Sequence, residues 1–222
     1  MSELTEQMPK NMNVSAPKTN PKFWDKASAK YSKSPVSDPA AYAHTLDRTR
    51  FYLKPDDHML ELGCGTGTTA LTLSDQVRHI TATDISQNML DIADRKKHEQ
   101  GINNVDFVQK SVEDLPFGET YDVLFASSLL HLLTDLEDGL ARIRQSIEPD
   151  GLFISKTVCL KKQNPIFPIL IPIMRFFGLA PYVNFITGDE LEIAVKQAGF
   201  EIIESGDHNT KPACRFIVAR AI

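Results

Sequence analysis

From His58 onward, short apolar runs alternate with stretches whose apolar residues recur at helical spacing. That alternation is the signature of β-α-β units and a parallel sheet. The run His58-Met-Leu-Glu-Leu62 predicts a first strand, closed by a glycine-rich turn and followed by a helix from Thr68 to Gln76. His79-Ile-Thr-Ala-Thr83 predicts a second strand, with Ser86 placed to cap the next helix and Gly101 to end it. Val105–Val108 and Tyr121–Ala126 read as strands three and four. Leu129, Leu133, Leu136, Leu140, Ile143 and Ile147 then form one helical stripe, with Thr134 and Glu137 spaced as a capping box. Leu152–Lys156 is strand five, and a second capping box is expected at Thr187 and Glu190 of a helix closed by Gly199. The last two strands, Phe200–Glu204 and Arg215–Ala219, are joined by too few residues for a helical crossover. They must therefore run antiparallel. The expected class is α/β: a Rossmann-like, doubly wound seven-stranded sheet, mostly parallel with an antiparallel last strand.

Residues 1–21 are polar and carry Pro9, Pro17 and Pro21. They read as a flexible tail, because so few apolar side chains cannot offset the entropy of ordering. The remaining 22–222 form one domain, within the size range of a single fold. Its 42% hydrophobic and 24% charged residues are ordinary for a folded protein. A net charge of −5 lacks the basic footprint of a nucleic-acid binder. Cys64, Cys159 and Cys214 are few, scattered and odd in number, which suits a reducing, cytoplasmic setting and offers no metal-ligand spacing. No secretory leader is expected at the N-terminus, and no apolar run is long enough for stable membrane insertion.

The chemistry concentrates at Glu61-Leu-Gly-Cys-Gly-Thr-Gly67. A strand delivers the chain to a sharp turn in which Gly63, Gly65 and Gly67 let the backbone approach a ligand closely. The helix beyond it points unpaired N–H groups into the same space. Asp84 ends the second strand, where a carboxylate can accept both hydroxyls of a ribose. Gly65 through Ala70, with Asp84 nineteen residues after Gly65, also satisfies the dinucleotide fingerprint. An NAD-dependent oxidoreductase is therefore one reading. Glu61 speaks against it, since a carboxylate there opposes a pyrophosphate and suits a cationic amino group.

Taken in order, the motifs resemble those of the class I S-adenosylmethionine-dependent methyltransferases, over roughly residues 57 to 160. The resemblance implies that the turn Glu61–Gly67, Cys64 included, holds the methionine part of S-adenosylmethionine. It further implies that Asp84 binds the ribose and that Ile85 and Met89 flank the adenine. Val112-Glu-Asp-Leu-Pro-Phe117 looks like the family's adenine loop, so Val112 and Glu113 join the site. Ser111 stands where that loop usually begins with an acid. Glu148-Pro-Asp-Gly151 resembles the turn before strand five, with Asp150 replacing a common glycine. The pattern is closest to the subgroup acting on small, quinone-like or lipidic acceptors, and S-adenosylhomocysteine would be the product.

Such chemistry requires a base only when the acceptor must lose a proton. His131, just after strand four, is the candidate base; its alternative role is to cap or pack at a helix start. Ser127 lies at the strand-four edge, where a cofactor contact and an ordinary turn role are both open. Trp24 and Tyr31 fall on an N-terminal helical lid spanning 22–56. The resemblance suggests that Tyr31 closes over the cofactor, with simple packing as the other reading. Between strand five and the last helix, residues 160–186 form an apolar insertion richer in Ile, Leu and Phe than one helix stripe needs. It is expected on the substrate side. A non-catalytic S-adenosylmethionine-binding regulator is the remaining functional class.

Overall fold

A computed structural model describes residues 21–161, 165–207 and 213–222. The expected tail, His208 and part of the apolar insertion fall outside these residues. Two helices, α1 (Lys22–Tyr31) and α2 (Pro39–Tyr52), precede the sheet. The core then follows as β1 (His58–Leu62), α3 (Thr68–Leu73), β2 (His79–Asp84), α4 (Gln87–Gln100) and β3 (Val105–Gln109). Next come β4 (Tyr121–Ser127), α5 (Leu136–Gln145) and β5 (Ile147–Val158). The chain closes with α6 (Phe167–Phe176), α7 (Gly188–Gln197), β6 (Phe200–Asp207) and β7 (Cys214–Ala221).

The seven strands are ordered β3-β2-β1-β4-β5-β7-β6. All neighbours are parallel except β7, which inserts antiparallel between β5 and β6. The chain winds outward from β1 to β3, then returns to lay β4 on the other side of β1. That reversal opens a crevice at the carboxyl ends of β1 and β4, where ligands of doubly wound sheets bind.

Alternation along each strand sorts side chains between two cores. Leu60 and Leu62 of β1, with Leu124 and Ala126 of β4, join α5 and α7 on one face. Met59 of β1, with Val123 and Phe125 of β4, joins α2, α3 and α4 on the other. Glu61 shares the Met59 face by the same period, and is 3% exposed. The N-terminal helices are tied down by polar contacts. Asp25 of α1 accepts from Ser86 Oγ at 2.6 Å, and its carbonyl accepts from Asn88 Nδ2 at 3.2 Å. Arg48 of α2 donates through Nε to Glu204 of β6 at 2.9 Å, and Tyr52 donates to the same carboxylate at 2.7 Å. Trp24 and Tyr31 are thereby carried to the carboxyl edge of the sheet.

Several expected boundaries shift. The helix after the glycine turn is α-helical only to Leu73; Ser74–Gln76 tighten into a 3-10 turn. The Thr134–Glu137 box does not form. Asp135 caps α5 instead, accepting from the Asp138 N–H at 2.9 Å, because a carboxylate directly before the helix is the stronger acceptor. Leu129 and Leu133 consequently lie before α5, flanking a 3-10 turn, and Ile147 begins β5. Strand five is longer than expected and takes in Glu148–Gly151, with Asp150 at φ 63°. The caps at Ser86, Gly101 and Thr187–Glu190 form as the sequence indicates.

Candidate active site

Three consecutive glycines of the turn all have positive φ. At two of them the neighbours leave no alternative. A Cβ on Gly67 would lie 2.6 Å from Phe107 Cζ and 2.7 Å from Ala93 Cβ; one on Gly63 would lie 3.0 Å from Leu129 Cδ1. The turn is latched from the second strand: the Gly65 N–H donates to Asp84 Oδ2 and the Ser86 N–H to Asp84 Oδ1, each at 2.9 Å. Two lone-pair positions on Asp84 are thus committed to shaping the turn, and a carboxylate has two more to offer a ligand.

Two cavities meet at this turn. One, of about 280 Å³, lies over β1, β2 and β4, lined by Leu62, Asp84, Ile85, Met89, Val112 and His131 among others. The second, of about 540 Å³, lies on the Glu61 side and includes Cys64, Thr66, Lys96 and Lys156. Tyr31, Gly63, Gly65, Ser127 and Ser128 line both. Of the residues expected at the site, Tyr31, Gly63, Gly65, Asp84, Ile85, Met89, Val112, Glu113, Ser127 and His131 line the first cavity, and Glu61 and Cys64 the second. Gly67 stands behind the turn, packed against Phe107 and α4.

The electrostatics are those of carboxylates withdrawn from water. Burial, reinforced by the charge of Asp84, raises the Glu61 carboxyl to about 8, although the Ala70 backbone N–H partly supports the anion. Glu61 Oε2 has no hydrogen-bond partner. Burial also raises Asp84, opposed by the N–H groups of Ser86, Gly65 and Ile85. The Tyr31 hydroxyl is pushed up by burial and by Asp84, and the Cys64 thiol well above its usual value by burial and by Glu61. A thiol so shifted is no nucleophile. Cys64 is buried between the glycines of the turn.

His131 sits in the 3-10 turn after β4, 9% exposed, with Nδ1 unpartnered. Burial lowers its pKa to about 4, so the ring is neutral at physiological pH. Its carbonyl accepts from the Asn184 N–H at 2.7 Å, which draws the segment after α6 against the cavity. Pro181 and Val183 of that segment line the same cavity.

Lys156 and the Leu129–Leu133 wall were not singled out from the sequence, whereas Ser128 lies beside Ser127 at the strand-four edge, where a cofactor contact and a turn role were both open. Ser128 holds φ 55°, uncommon for a side-chain-bearing residue, with its N–H donating to the Lys156 carbonyl at 2.7 Å. The only signal for Ser128 and Lys156 was position: both lie at the carboxyl ends of central strands. In the turn after β3, Asp114 satisfies Ser111, accepting from its N–H at 3.0 Å and its hydroxyl at 2.9 Å.

Comparison with known proteins agrees with this geometry. Residues 59–151 match the family model described as a methyltransferase domain. The chain is 35% identical over 115 residues to a malonyl-[acyl-carrier protein] O-methyltransferase of Bacillus anthracis, covering 51% of this chain and 41% of that one. It is 26% identical over 151 residues to a ubiquinone biosynthesis O-methyltransferase of Rickettsia canadensis, covering 66% and 63%. The chain therefore spans less than two thirds of either relative. Among solved structures, the DhpI–SAH complex superposes with a TM-score of 0.70 at 20% identity, covering 90% of this chain and 94% of that one. Residues 59–151 thus resemble a methyltransferase domain, and the superposition shows that the chain shares the sheet architecture of that solved structure.

Proposed function

We propose that the protein transfers a methyl group from S-adenosylmethionine to a small, largely apolar acceptor, leaving S-adenosylhomocysteine. The observation that carries this reading is Glu61: a buried carboxylate with an unpartnered oxygen, facing the glycine turn from the strand end. Ionising a carboxyl buried in this way needs a cation beside it. The cofactor's amino group supplies one, whereas the pyrophosphate of NAD would add a second negative charge beside it. The NAD reading is for that reason the weaker.

The residues fit the cofactor. Glu61, Gly63, Cys64, Gly65 and Gly67 would hold its methionine part, and Asp84 its ribose hydroxyls. Ile85, Met89, Val112 and Glu113 would enclose the adenine, while Tyr31 and Ser127 would close the junction between the cavities. Bound there, S-adenosylmethionine supplies an electrophilic methyl group on a sulfonium. The chain's task is to align the acceptor with that group and keep water away. Leu129, Leu132, Leu133, Pro181 and Val183 give the acceptor end an apolar wall. His131 Nδ1 is free to accept a proton from the acceptor, and the lowered pKa keeps it available above about pH 5.

Residues 22–56 act as the lid over the cofactor and 160–186 as the wall on the acceptor side. The named relatives, acting on an acyl-carrier ester precursor or a quinone precursor, support a small acceptor of this general kind. The acidic surface speaks against nucleic acid, and three buried free thiols suit a cytoplasmic setting. Isothermal titration with S-adenosylmethionine and S-adenosylhomocysteine is the direct test. Micromolar binding of both is expected, and binding of neither would end the proposal. Binding without product in a methyl-transfer screen over phenols, quinols and carboxylic acids would favour a regulator instead.

A further inference from the structure

Helix α6 is built inside out. Ile166, Ile169, Leu170, Ile173, Phe176 and Phe177 recur at i, i+3, i+4, i+7, i+10 and i+11, forming one stripe. In an ordinary surface helix that stripe faces the core. Here the six side chains are 43% to 86% exposed, and no residue of α6 is buried. The contact with the rest of the domain is made by the opposite side, where Phe167, Ile171 and Met174 are half-buried. Leu179, 66% exposed, extends the apolar surface beyond the helix.

The surrounding charge says what this surface meets. The chain as a whole carries −5, yet residues 165–187 contain no Asp or Glu, and Arg175 is their single charged side chain. The Arg175 guanidinium lies 5.1 Å over the Tyr182 ring. An Arg–Tyr pair at the rim of an acid-free apolar stripe matches the boundary between acyl chains and headgroups. The ten-residue helix spans only about 15 Å, half a bilayer's hydrocarbon thickness, so it can lie in the interface but not cross it. Among the described residues no helix is long and apolar enough to cross a membrane.

We infer that α6 docks the protein reversibly on the surface of a lipid bilayer, as an in-plane amphipathic element held by its apolar stripe. The chain that leaves α6 runs directly to Pro181 and Val183 in the cavity wall, so docking would set the acceptor end of the site beside the lipid. The docking rests on the helix alone and goes beyond the methyl-transfer reading; an acceptor dissolved in lipid would connect the two.

Flotation with vesicles of phosphatidylcholine and phosphatidylglycerol tests it, with no cofactor present. The wild-type chain should float with the vesicles. Ile173→Ser with Phe176→Ser should cut the floating fraction about tenfold or more. Both side chains are exposed, so an unchanged thermal midpoint will show that the fold survives. The inference is overturned if the wild-type chain stays unbound, or if the double variant floats equally well. It is also overturned if sedimentation shows a wild-type dimer that the same substitutions disperse while vesicle binding is absent. Because cofactor titration is a separate measurement, failure here leaves the methyltransferase reading standing, and the reverse.

Discussion

Glu61→Gln separates the structural cost of the glycine-turn acid from its use. In the unliganded fold the carboxyl titrates near 8 instead of its ordinary 4.5. Between those values the folded chain holds a proton that the unfolded chain has lost, so stability falls as pH rises through that window. The deficit grows to about 3 kcal/mol at pH 7 and about 5 kcal/mol above pH 8, an order-of-magnitude reckoning at about 1.4 kcal/mol per pKa unit. Glutamine keeps an acceptor oxygen for the Ala70 N–H and carries no charge. The cofactor-free variant should therefore be more stable than wild type at pH 8, by a few kcal/mol in urea denaturation, and equal to it below pH 4.5. Binding should move the other way. The ammonium partner lost in the variant corresponds to roughly 10- to 150-fold weaker affinity for S-adenosylhomocysteine. Wild-type binding at pH 7 should release about 0.9 proton, read from titrations in buffers of different ionisation enthalpy. A variant that is less stable at pH 8, or that binds the product with unchanged affinity, would refute this account of the turn.

Further tests fall on neighbouring residues. Gly67→Ala should cost roughly 2–4 kcal/mol in denaturant titration, because its Cβ would overlap Phe107 at positive φ. Gly101→Ala, at φ +66° with nothing within 4 Å, should cost only about 1 kcal/mol. Asp84→Asn should weaken S-adenosylhomocysteine binding by about 1.5–3 kcal/mol in calorimetry, and unchanged affinity would remove the ribose from that position. His131, with its folded pKa near 4 against 6.5, binds its proton more readily unfolded. Its contribution of about 3 kcal/mol is present above pH 6.5 and lost as pH falls toward 4, so His131→Asn should flatten acid denaturation over that range. On an ionisable acceptor the same variant should lower kcat by roughly 100-fold or more while leaving cofactor affinity unmoved.

What the sequence disclosed is what depends on near neighbours. The glycine turn, the Ser86 cap and the Thr187–Glu190 box each need residues within a few positions of one another, and all form as read. The antiparallel end of the sheet followed from connection length, and the class of fold from the alternation of strand and helix periods. The site was less legible where distant segments converge. The depressed pKa of His131 arises from burial, and its carbonyl is held by the Asn184 N–H, more than fifty residues on. The left-handed Ser128 is held by the carbonyl of Lys156 on the neighbouring strand, a contact no local pattern encodes. Asp135 took the cap from Thr134 because two adjacent capping residues compete and the carboxylate is the stronger acceptor. The stripe of α6 was visible as a period but not as a direction: spacing shows that apolar residues share a face, not which way the face turns.

The two-residue period of the strands also explains why one short turn can serve two chemically different ends of a cofactor. On β1, Glu61 projects to the face of α2 and α3, while Leu62, its neighbour, projects to the face of α5. On β4, Ser127 continues the Phe125 face, and the chain then bends back through Ser128 toward His131 on the other. The carboxylate, Thr66, Lys96 and Lys156 consequently gather in one cavity, and Met89, Val112 and Leu133 in the other. Tyr31, Gly63, Gly65, Ser127 and Ser128 form the shared border of the two cavities. An inserted residue in β1 would exchange Glu61 and Leu62 between the faces and destroy both chambers together.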